Sequence, residues 1–223
     1  MKVNLLFEQS GTFKHVLREM GNDAKDIDIS NAYNETDNLI DIFVILDKYI
    51  SGDSSVTKSE IFDCDLIIAF FPCTYFSQYN DLMLSGKWYN YNFMANNEKS
   101  MYMFNRKCMQ ILYTYRLKAL IEICRDKKIP LIIENPVSPY MTNFIKSNNI
   151  NYVKHIRNKY GDNMYKPTYY LLFNGAYIEN LDLINTPVTR VVDKIRDKNG
   201  NANRSLMSKN YVRNFCKHIK IIK

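Results

Sequence analysis

The sequence predicts an α/β fold with a mostly parallel sheet and helices on both of its faces. Two short apolar runs, residues 66–71 and 130–134, have the length and the β-branched content of strands buried on both sides. Residues 98–125 between them carry apolar side chains at helical spacing. A strand–helix–strand unit of this kind pairs its two strands in parallel through a right-handed crossover.

Shorter strand–helix units precede the first apolar run. Residues 3–7 predict the first strand, and the helical spacing that follows it ends at Gly21. Residues 24–29 predict a second strand, and residues 38–42 predict a brief third strand followed by a helix that Gly52 closes.

The rest of the chain is less regular. Residues 78–97 are aromatic and irregular, and we expect either a functional lid or a packed surface loop. Residues 165–173 predict a late strand, and residues 208–219 predict a closing helix. Cys108 and Cys124 fall within the apolar pattern of the long helix, which predicts that both are buried in the core.

The size and composition predict one α/β domain over residues 1–223. The chain is 46% hydrophobic and 24% charged, which is ordinary for a globular protein. Its five cysteines include no C-x-x-C pair, so we expect no metal site. The first residues turn polar too soon for a signal peptide, and no apolar run approaches the roughly 20 residues of a membrane span. We therefore expect a cytoplasmic protein with reduced thiols, of unspecified oligomeric state.

The net charge of +7 and the pI near 9.0 indicate a polyanionic partner or a solvated basic surface. The basic excess lies late in the chain, at Lys194, Arg196, Lys198, Arg204, Lys209, Arg213, Lys217, Lys220 and Lys223.

Cys73 is the first candidate functional residue, because it follows the first apolar run at the edge where open parallel sheets bind ligands. Pro72 ends that strand because it has no N–H to donate. The second apolar strand ends in Glu134 and Asn135, so two strands bring a thiol and a carboxylic acid to one edge. A thiol there is either a nucleophile or a small buried apolar side chain, and the acid favours the nucleophile.

A candidate cofactor turn follows the first strand. Gly11 lies between that strand and a helix, a unit that offers backbone N–H groups to a nucleotide-like ligand. Asp26 follows about 15 residues later, near where an acid hydrogen-bonds ribose hydroxyls in such units, and Asp28 lies on the same face. A plain β–α turn and a pair of solvated acids are the alternatives.

Several short motifs occur in order between residues 3 and 175. They are Phe7-Glu-Gln-Ser-Gly11, Asp26-Ile-Asp28, Asp41-Ile42, Pro72-Cys-Thr-Tyr-Phe-Ser77, Glu134-Asn-Pro136 and Lys166-Pro-Thr-Tyr-Tyr-Leu-Leu-Phe173. Together they resemble the DNA (cytosine-5) methyltransferases, especially the short methylase-like proteins of phages and prophages.

This resemblance implies a Rossmann-like methyltransferase fold, S-adenosylmethionine (SAM) as the cofactor and nucleic acid, most of all DNA, as the partner. The implied catalytic residues are Cys73, Glu134, Asn135 and Lys166. The implied cofactor-binding residues are Phe7, Ser10, Gly11, Thr12, Asp26, Asp28, Asp41 and Pro72.

The chain departs from the family pattern at several places. The first motif has one glycine instead of two, Phe71 stands in place of a Pro, Thr74 in place of a Gln, and Lys166 in place of an Arg. After residue 175 the sequence predicts only a basic loop and a closing helix, so we expect a target-recognition domain that is reduced or absent.

The implied reaction begins with addition of the Cys73 thiolate to carbon 6 of cytosine, which activates carbon 5 for methylation. A protonated Glu134 would relieve the charge that builds on the ring, and the base would be flipped out of its duplex. One alternative is a catalytically altered methylase-fold protein, possibly phage-associated, that binds nucleic acid or a nucleotide. Another is a different Cys-dependent enzyme acting on nucleotides or small molecules.

Overall fold

The main sheet of this computed structural model, which describes residues 1–189 and 206–222, has seven strands. They are β1 (Lys2–Leu6), β2 (Asp23–Asp28), β3 (Asn38–Leu39), β4 (Leu66–Ala69), β5 (Leu131–Pro136), β6 (Asn151–Ile156) and β7 (Pro167–Phe173). Their order across the sheet is β3-β2-β1-β4-β5-β7-β6.

The pairing is parallel from β3 to β5, and β7 runs antiparallel to both of its neighbours. Leu5 lies opposite Ile68, and Ile68 lies opposite Ile132, so the centre of the sheet is a row of fully buried aliphatic side chains. The predicted parallel pairing of the two apolar runs is confirmed.

Helices cover both faces of the sheet. They are α1 (Thr12–Glu19), α2 (Ile42–Ile50), α3 (Gln78–Leu84), α4 (Asn96–Asp126), α5 (Pro139–Ser147) and α6 (Lys209–Lys217). Buried side chains of α1 and α6 share one core cluster, and those of α2, α4 and α5 share the other. A mostly parallel sheet in this order, reversed at β7 and covered on both faces, is a Rossmann-like methyltransferase fold, as predicted.

The irregular structure expected for residues 78–97 is wrong in part. This stretch contains α3 and a 3-10 turn at Tyr89–Phe93. The Ser77 side chain accepts a hydrogen bond from the backbone N–H of Asn80 at 3.4 Å and so caps α3. With only seven residues, α3 is too short to show a helical repeat in the sequence.

The long helix α4 is buried along only part of its length. Its buried residues are Gln110 and a set between Leu117 and Cys124. Cys124 is in the core as predicted, whereas the prediction that Cys108 is buried is wrong, because this side chain is exposed. Helical spacing shows which side chains share a face but not whether another element covers that face.

The last described residues pack onto the sheet. Phe215 of α6 contacts Phe13 of α1 with ring centroids 5.7 Å apart. A two-stranded antiparallel sheet joins β8 (Ala176–Ile178) to β9 (Ile219–Ile221).

Several predictions about the chain end are not tested. The single-domain organisation, the boundary at residue 175 and the reduced target-recognition domain remain predictions. The basic residues Lys194, Arg196, Lys198, Arg204 and Lys223 lie outside the described residues. Within the described ranges, no helix is both long and apolar enough to cross a membrane.

Candidate functional site

Two cavities open at the carboxyl ends of β1, β4 and β5. The inner cavity, of about 280 Å³, is lined by Phe7, Glu8, Gln9, Ser10, Phe13, Asp28, Tyr33, Phe70, Phe71, Pro72, Cys73, Thr74, Glu134, Lys166, Leu206 and Met207. The outer cleft, of about 730 Å³, is lined by Cys73, Thr74, Ser77, Gln78, Tyr79, Met83, Arg106, Pro136, Val137, Lys154, Tyr165, Lys166 and Pro167. Cys73, Thr74 and Lys166 therefore form the border between the two cavities.

Phe7 directly follows β1 and has a backbone conformation that bulky residues rarely adopt. Its φ is +60°, in the left-handed region, while its N–H still bonds the Ile27 carbonyl at 3.0 Å. Its ring packs against Phe43 and Phe71, with centroids 5.2 and 5.4 Å away. These contacts hold the backbone in the strained turn that opens the inner cavity.

The turn that follows β1 is held closed by Glu8, an acidic residue within the turn itself. The Glu8 carboxylate accepts the Gly11 N–H at 2.8 Å and also the Ser10 hydroxyl. Gly11 has φ +68°, in the left-handed region that favours glycine, so a residue with a side chain would strain the backbone at this position. The Gly11 N–H, the first backbone donor at the N-terminus of α1, is thus bonded to Glu8, although the sequence predicted that a ligand would accept it.

Asp28 is the carboxylate of β2 that reaches the inner cavity. It is 2% exposed, and burial raises its pKa, while the Ser30 N–H donates to its Oδ1 at 2.7 Å. Asp41 does not line the cavity. Its Oδ1 instead caps α2 by accepting the Phe43 N–H at 2.9 Å.

Asp26 is fully buried beneath the inner cavity and does not line it. Burial and repulsion from Glu8 raise the pKa of Asp26 to about 8, against the opposing effect of Lys14. The Lys14 ammonium is 3.3 Å from Asp26 Oδ2 and 3.4 Å from Glu35 Oε2, with 4% of its side chain exposed. Of the two predicted β2 acids, the geometry therefore leaves Asp28 as the one that a ligand can reach.

The segment that carries Cys73 is a tight turn. The Cys73 carbonyl accepts the N–H groups of Phe76 at 2.9 Å and Ser77 at 3.0 Å. Its half-buried side chain faces both cavities. The turn therefore presents the thiol at the end of β4 instead of burying it in the core.

Polar side chains of α4 hold this turn in place. The Arg106 guanidinium donates to the Thr74 carbonyl at 3.3 Å and stacks over the Tyr75 ring at 5.1 Å. Gln110, which is 2% exposed, donates to the Tyr75 carbonyl at 3.0 Å. Sequence analysis missed both residues, although polar residues on the inward face of an amphipathic helix are a signal that can be read.

Glu134 and Lys166 face each other across the border of the cavities. Glu134 is 6% exposed, and its Oε1 is 3.6 Å from Lys166 Nζ. Among the described residues, Glu134 Oε1 has no hydrogen-bond donor. Asn135 is fully buried outside both cavities, and its amide donates to the Phe71 carbonyl at 3.0 Å. Asn135 thus ties the end of β5 to the segment that carries Cys73.

The two cavities differ in charge. Among the described residues that line the inner cavity, Glu8, Asp28 and Glu134 stand against one ammonium group, that of Lys166. The described lining of the outer cleft has Arg106, Lys154 and Lys166 and no carboxylate. Exposed Tyr79 and Tyr165 also line the cleft.

The structure brings together seven of the predicted site residues at the inner cavity: Phe7, Ser10, Asp28, Pro72, Cys73, Glu134 and Lys166. The other five do not line either cavity: Gly11, Thr12, Asp26, Asp41 and Asn135. Glu8, Tyr33 and Lys154 are lining residues that sequence analysis missed. Glu8 lies inside the Phe7-Glu-Gln-Ser-Gly11 motif but was not singled out, and no motif marks Tyr33 or Lys154. No group of His, Cys, Asp and Glu side chains in the described ranges is arranged to hold a metal ion.

Comparison with known proteins adds little to this geometry. No protein-family model matches the chain, and no curated protein matches it significantly. One similar solved structure is the crystal structure of a presumed DNA modification methyltransferase encoded within a prophage of E. coli. The identity is 15% and the TM-score 0.39, over 76% of this chain and 45% of the other. This chain thus spans less than half of that protein, and a likeness at this level carries no argument about function.

Proposed function

We propose that this protein is a SAM-dependent methyltransferase that modifies carbon 5 of cytosine in DNA through a covalent Cys73 adduct. The observation that carries the proposal is the meeting of two oppositely charged cavities at Cys73. A thiol between an acidic cavity and a basic cleft suits a reaction that joins a cationic methyl donor to a polyanion.

The inner cavity fits SAM better than it fits a nucleoside phosphate. SAM, when bound, supplies an electrophilic methyl group on a cationic sulfur. The Glu8 and Asp28 carboxylates would attract that cation and would repel phosphate groups. Asp28 would accept hydrogen bonds from the ribose hydroxyls, and the rings of Phe7 and Tyr33 would offer apolar surface to the adenine.

The outer cleft fits a nucleic acid strand. Lys154 and Arg106 would contact phosphates, and Tyr79 and Tyr165 would stack on unpaired bases. A cytosine inside a duplex cannot reach Cys73, so it would flip into the cleft.

Each residue at the border of the two cavities would have a separate role in the reaction. The Cys73 thiolate adds to carbon 6 of the ring, and Glu134 delivers a proton to the ring nitrogen as negative charge develops. Lys166 holds the Glu134 carboxyl and lies within reach of the base carbonyl, while Asn135 fixes the distance between the two strand ends. Once carbon 5 carries the methyl group, loss of the carbon 5 proton to water would re-form the ring double bond and expel the Cys73 thiolate, and the proton on the ring nitrogen would return to Glu134.

Label transfer from methyl-labelled SAM to mixed-sequence DNA tests this proposal. We expect incorporation by the wild type and a loss of more than about a thousandfold in Cys73→Ala. Cys108→Ala is the matched control, because that thiol is exposed on α4 away from both cavities. Transfer that survives in Cys73→Ala would reject the assigned nucleophile.

The second candidate is a catalytically altered methylase-fold protein that binds nucleic acid or a nucleotide. The Glu8 carboxylate favours it, because this side chain takes the Gly11 N–H that a ligand would otherwise use. Titration calorimetry separates the two candidates. Measurable SAM binding supports the enzyme, whereas no heat at millimolar SAM together with DNA binding supports the second candidate.

A further inference from the structure

The outer cleft combines exposed tyrosines with cations. Tyr79 of α3 and Tyr165, which lies just before β7, line the cleft and are 48% and 56% exposed. Arg106 and Lys154 supply positive charge, and no carboxylate is among the described lining residues. Proteins that bind single-stranded nucleic acid use these two features together, because aromatic rings stack on bases while cations contact phosphates.

Neighbouring rings hold the Tyr79 side chain in place. Trp88 contacts it edge to face, with ring centroids 6.4 Å apart, and Trp88 in turn stacks on Tyr102 at 5.5 Å. The Arg106 guanidinium lies 5.7 Å from the Tyr102 ring, so a cation of the cleft belongs to the same array. A side chain that is already held loses little conformational freedom when a base stacks on it. Tyr79 is therefore a pre-organised stacking surface that stays half exposed.

The size of the outer cleft distinguishes a single strand from a duplex. Its volume of about 730 Å³ lies within the range of roughly 300–1,000 Å³ found for pockets that hold one drug-sized ligand. One or two nucleotides fit such a space, whereas a base-paired duplex does not, so the paired neighbours of a flipped base stay outside it. In a single strand those neighbours are free to enter and to stack on Tyr79 and Tyr165.

Charge alone would give the opposite preference. A duplex carries its phosphates at a higher density than a single strand, so a surface that used only cations would bind the duplex more tightly. Stacking reverses this order, because the bases of a duplex are already stacked on one another and present only their edges to a protein. The relative affinity for the two forms therefore reports whether the tyrosines take part.

We propose that the outer cleft takes single-stranded DNA in preference to duplex DNA, with bases next to the one at Cys73 stacked on Tyr79 and Tyr165. The inference rests on the proposed function for DNA as the partner and for Cys73 as the reacting group. A cytosine in a single strand reaches Cys73 without losing the base pairing and stacking that flipping out of a duplex costs.

Fluorescence anisotropy of the full chain without SAM tests the preference. The probes are a labelled thymine DNA strand of about 20 nucleotides, its duplex with the adenine strand, and a uracil RNA strand of the same length. We expect the thymine strand to bind about tenfold tighter than the duplex at equal salt concentration. A duplex that binds as tightly as the strand would overturn the inference, and an RNA strand bound about tenfold tighter than DNA would overturn DNA as the ligand.

The same probes keep this inference separate from the proposed reaction, because they contain no cytosine and the assay contains no methyl donor. Equal binding of strand and duplex, in a chain that still methylates DNA, would reject the single-strand preference alone. Absence of methyl transfer, in a chain that still prefers the strand, would reject the proposed reaction alone.

Substitutions of the two tyrosines test the stacking. Tyr79→Ala and Tyr165→Ala should each weaken binding of the thymine strand by about fivefold or more and leave duplex binding within about twofold. Tyr79→Phe keeps the ring and should bind the strand as the wild type does. Tyr177→Ala is the control, because this ring on β8 is 46% exposed outside both cavities. Equal losses for strand and duplex, with an unchanged circular dichroism spectrum, would overturn the stacking role.

Tryptophan fluorescence tests where the strand lies. Trp88 is the only tryptophan of the chain, and its ring contacts Tyr79. Saturation with the thymine strand should therefore change the Trp88 emission, whereas saturation with the duplex should leave it nearly unchanged. An emission that does not respond to the strand, while anisotropy shows that the strand is bound, would overturn its placement at Tyr79.

Discussion

The inner cavity and the outer cleft share three residues and differ in almost everything else. The inner cavity is walled by strand ends and the β1–α1 turn, and its described lining has three buried acidic side chains and one ammonium group. The outer cleft is walled by α3, α4 and the start of β7, with cationic and aromatic side chains. The carboxyl edge of the sheet therefore carries two adjoining cavities with different chemical linings, and Cys73 lies where they meet.

This separation has a physical cause. The inner wall is made of buried backbone turns, where Glu8 and Asp28 accept backbone N–H groups and Glu134 lies beside the Lys166 ammonium. The outer wall is made of surface helices and strand ends, whose long cationic side chains stay hydrated. The predictions that follow test whether each side binds its own ligand.

Glu134→Gln should have the largest effect, because Glu134 lies at the border and its proton is needed while the ring is activated. We expect single-turnover methyl transfer at saturating SAM and DNA to fall by about 10²–10⁴-fold. Glu122→Gln, on the exposed face of α4, should leave the rate unchanged. A rate in Glu134→Gln within twofold of the wild type would remove Glu134 from the proposed chemistry.

Asp28→Asn should weaken SAM binding by about tenfold or more, because a charged hydrogen-bond acceptor is lost from the inner cavity. Calorimetry with SAM measures the change. DNA affinity, measured by fluorescence anisotropy, should stay within twofold of the wild type. Equal losses for both ligands would show that the two cavities are not independent.

Lys154→Ala should produce the reverse pattern. We expect DNA affinity to fall by about three- to tenfold, and the slope of log affinity against log salt to become shallower by about 0.9 for one lost phosphate contact. SAM binding should not change. Lys146→Ala, an exposed cation outside both cavities, is the control and should alter neither.

The smallest expected effect is on the pH dependence of stability. The pKa of Asp26 is about 8 in the folded chain and about 4 in the unfolded chain, so the folded chain binds more protons between these values. Stability should therefore fall as pH rises from 4 to 8, and Asp26→Asn should flatten the decline by about 1–3 kcal/mol.

Urea unfolding at pH 5 and pH 8 measures this decline. Asp63→Asn is the control, because its exposed carboxylate has a lowered pKa and titrates below this range. The decline should persist in that control. An equally steep decline in Asp26→Asn would assign the titration to another group.

Much of the site could be read from local sequence. Pro72 and Cys73 follow an apolar strand, and Glu134 follows another, so their shared edge follows from parallel pairing alone. Arg106, Lys154 and Tyr79 could not be found in this way. They reach the outer cleft from three separate elements, and only the packing of α3, α4 and β6 brings them to one place.

The sequence by itself determined the α/β class, the parallel central strands and the position of the Cys73 thiol at a strand end. These features depend on short apolar runs and on proline, whose effects are local. The tertiary structure decided that Asp28 and not Asp26 faces the inner cavity, that Cys108 is exposed, and that two oppositely charged cavities adjoin. Those outcomes depend on which surfaces neighbouring elements cover, and burial of that kind is a property of the packed molecule.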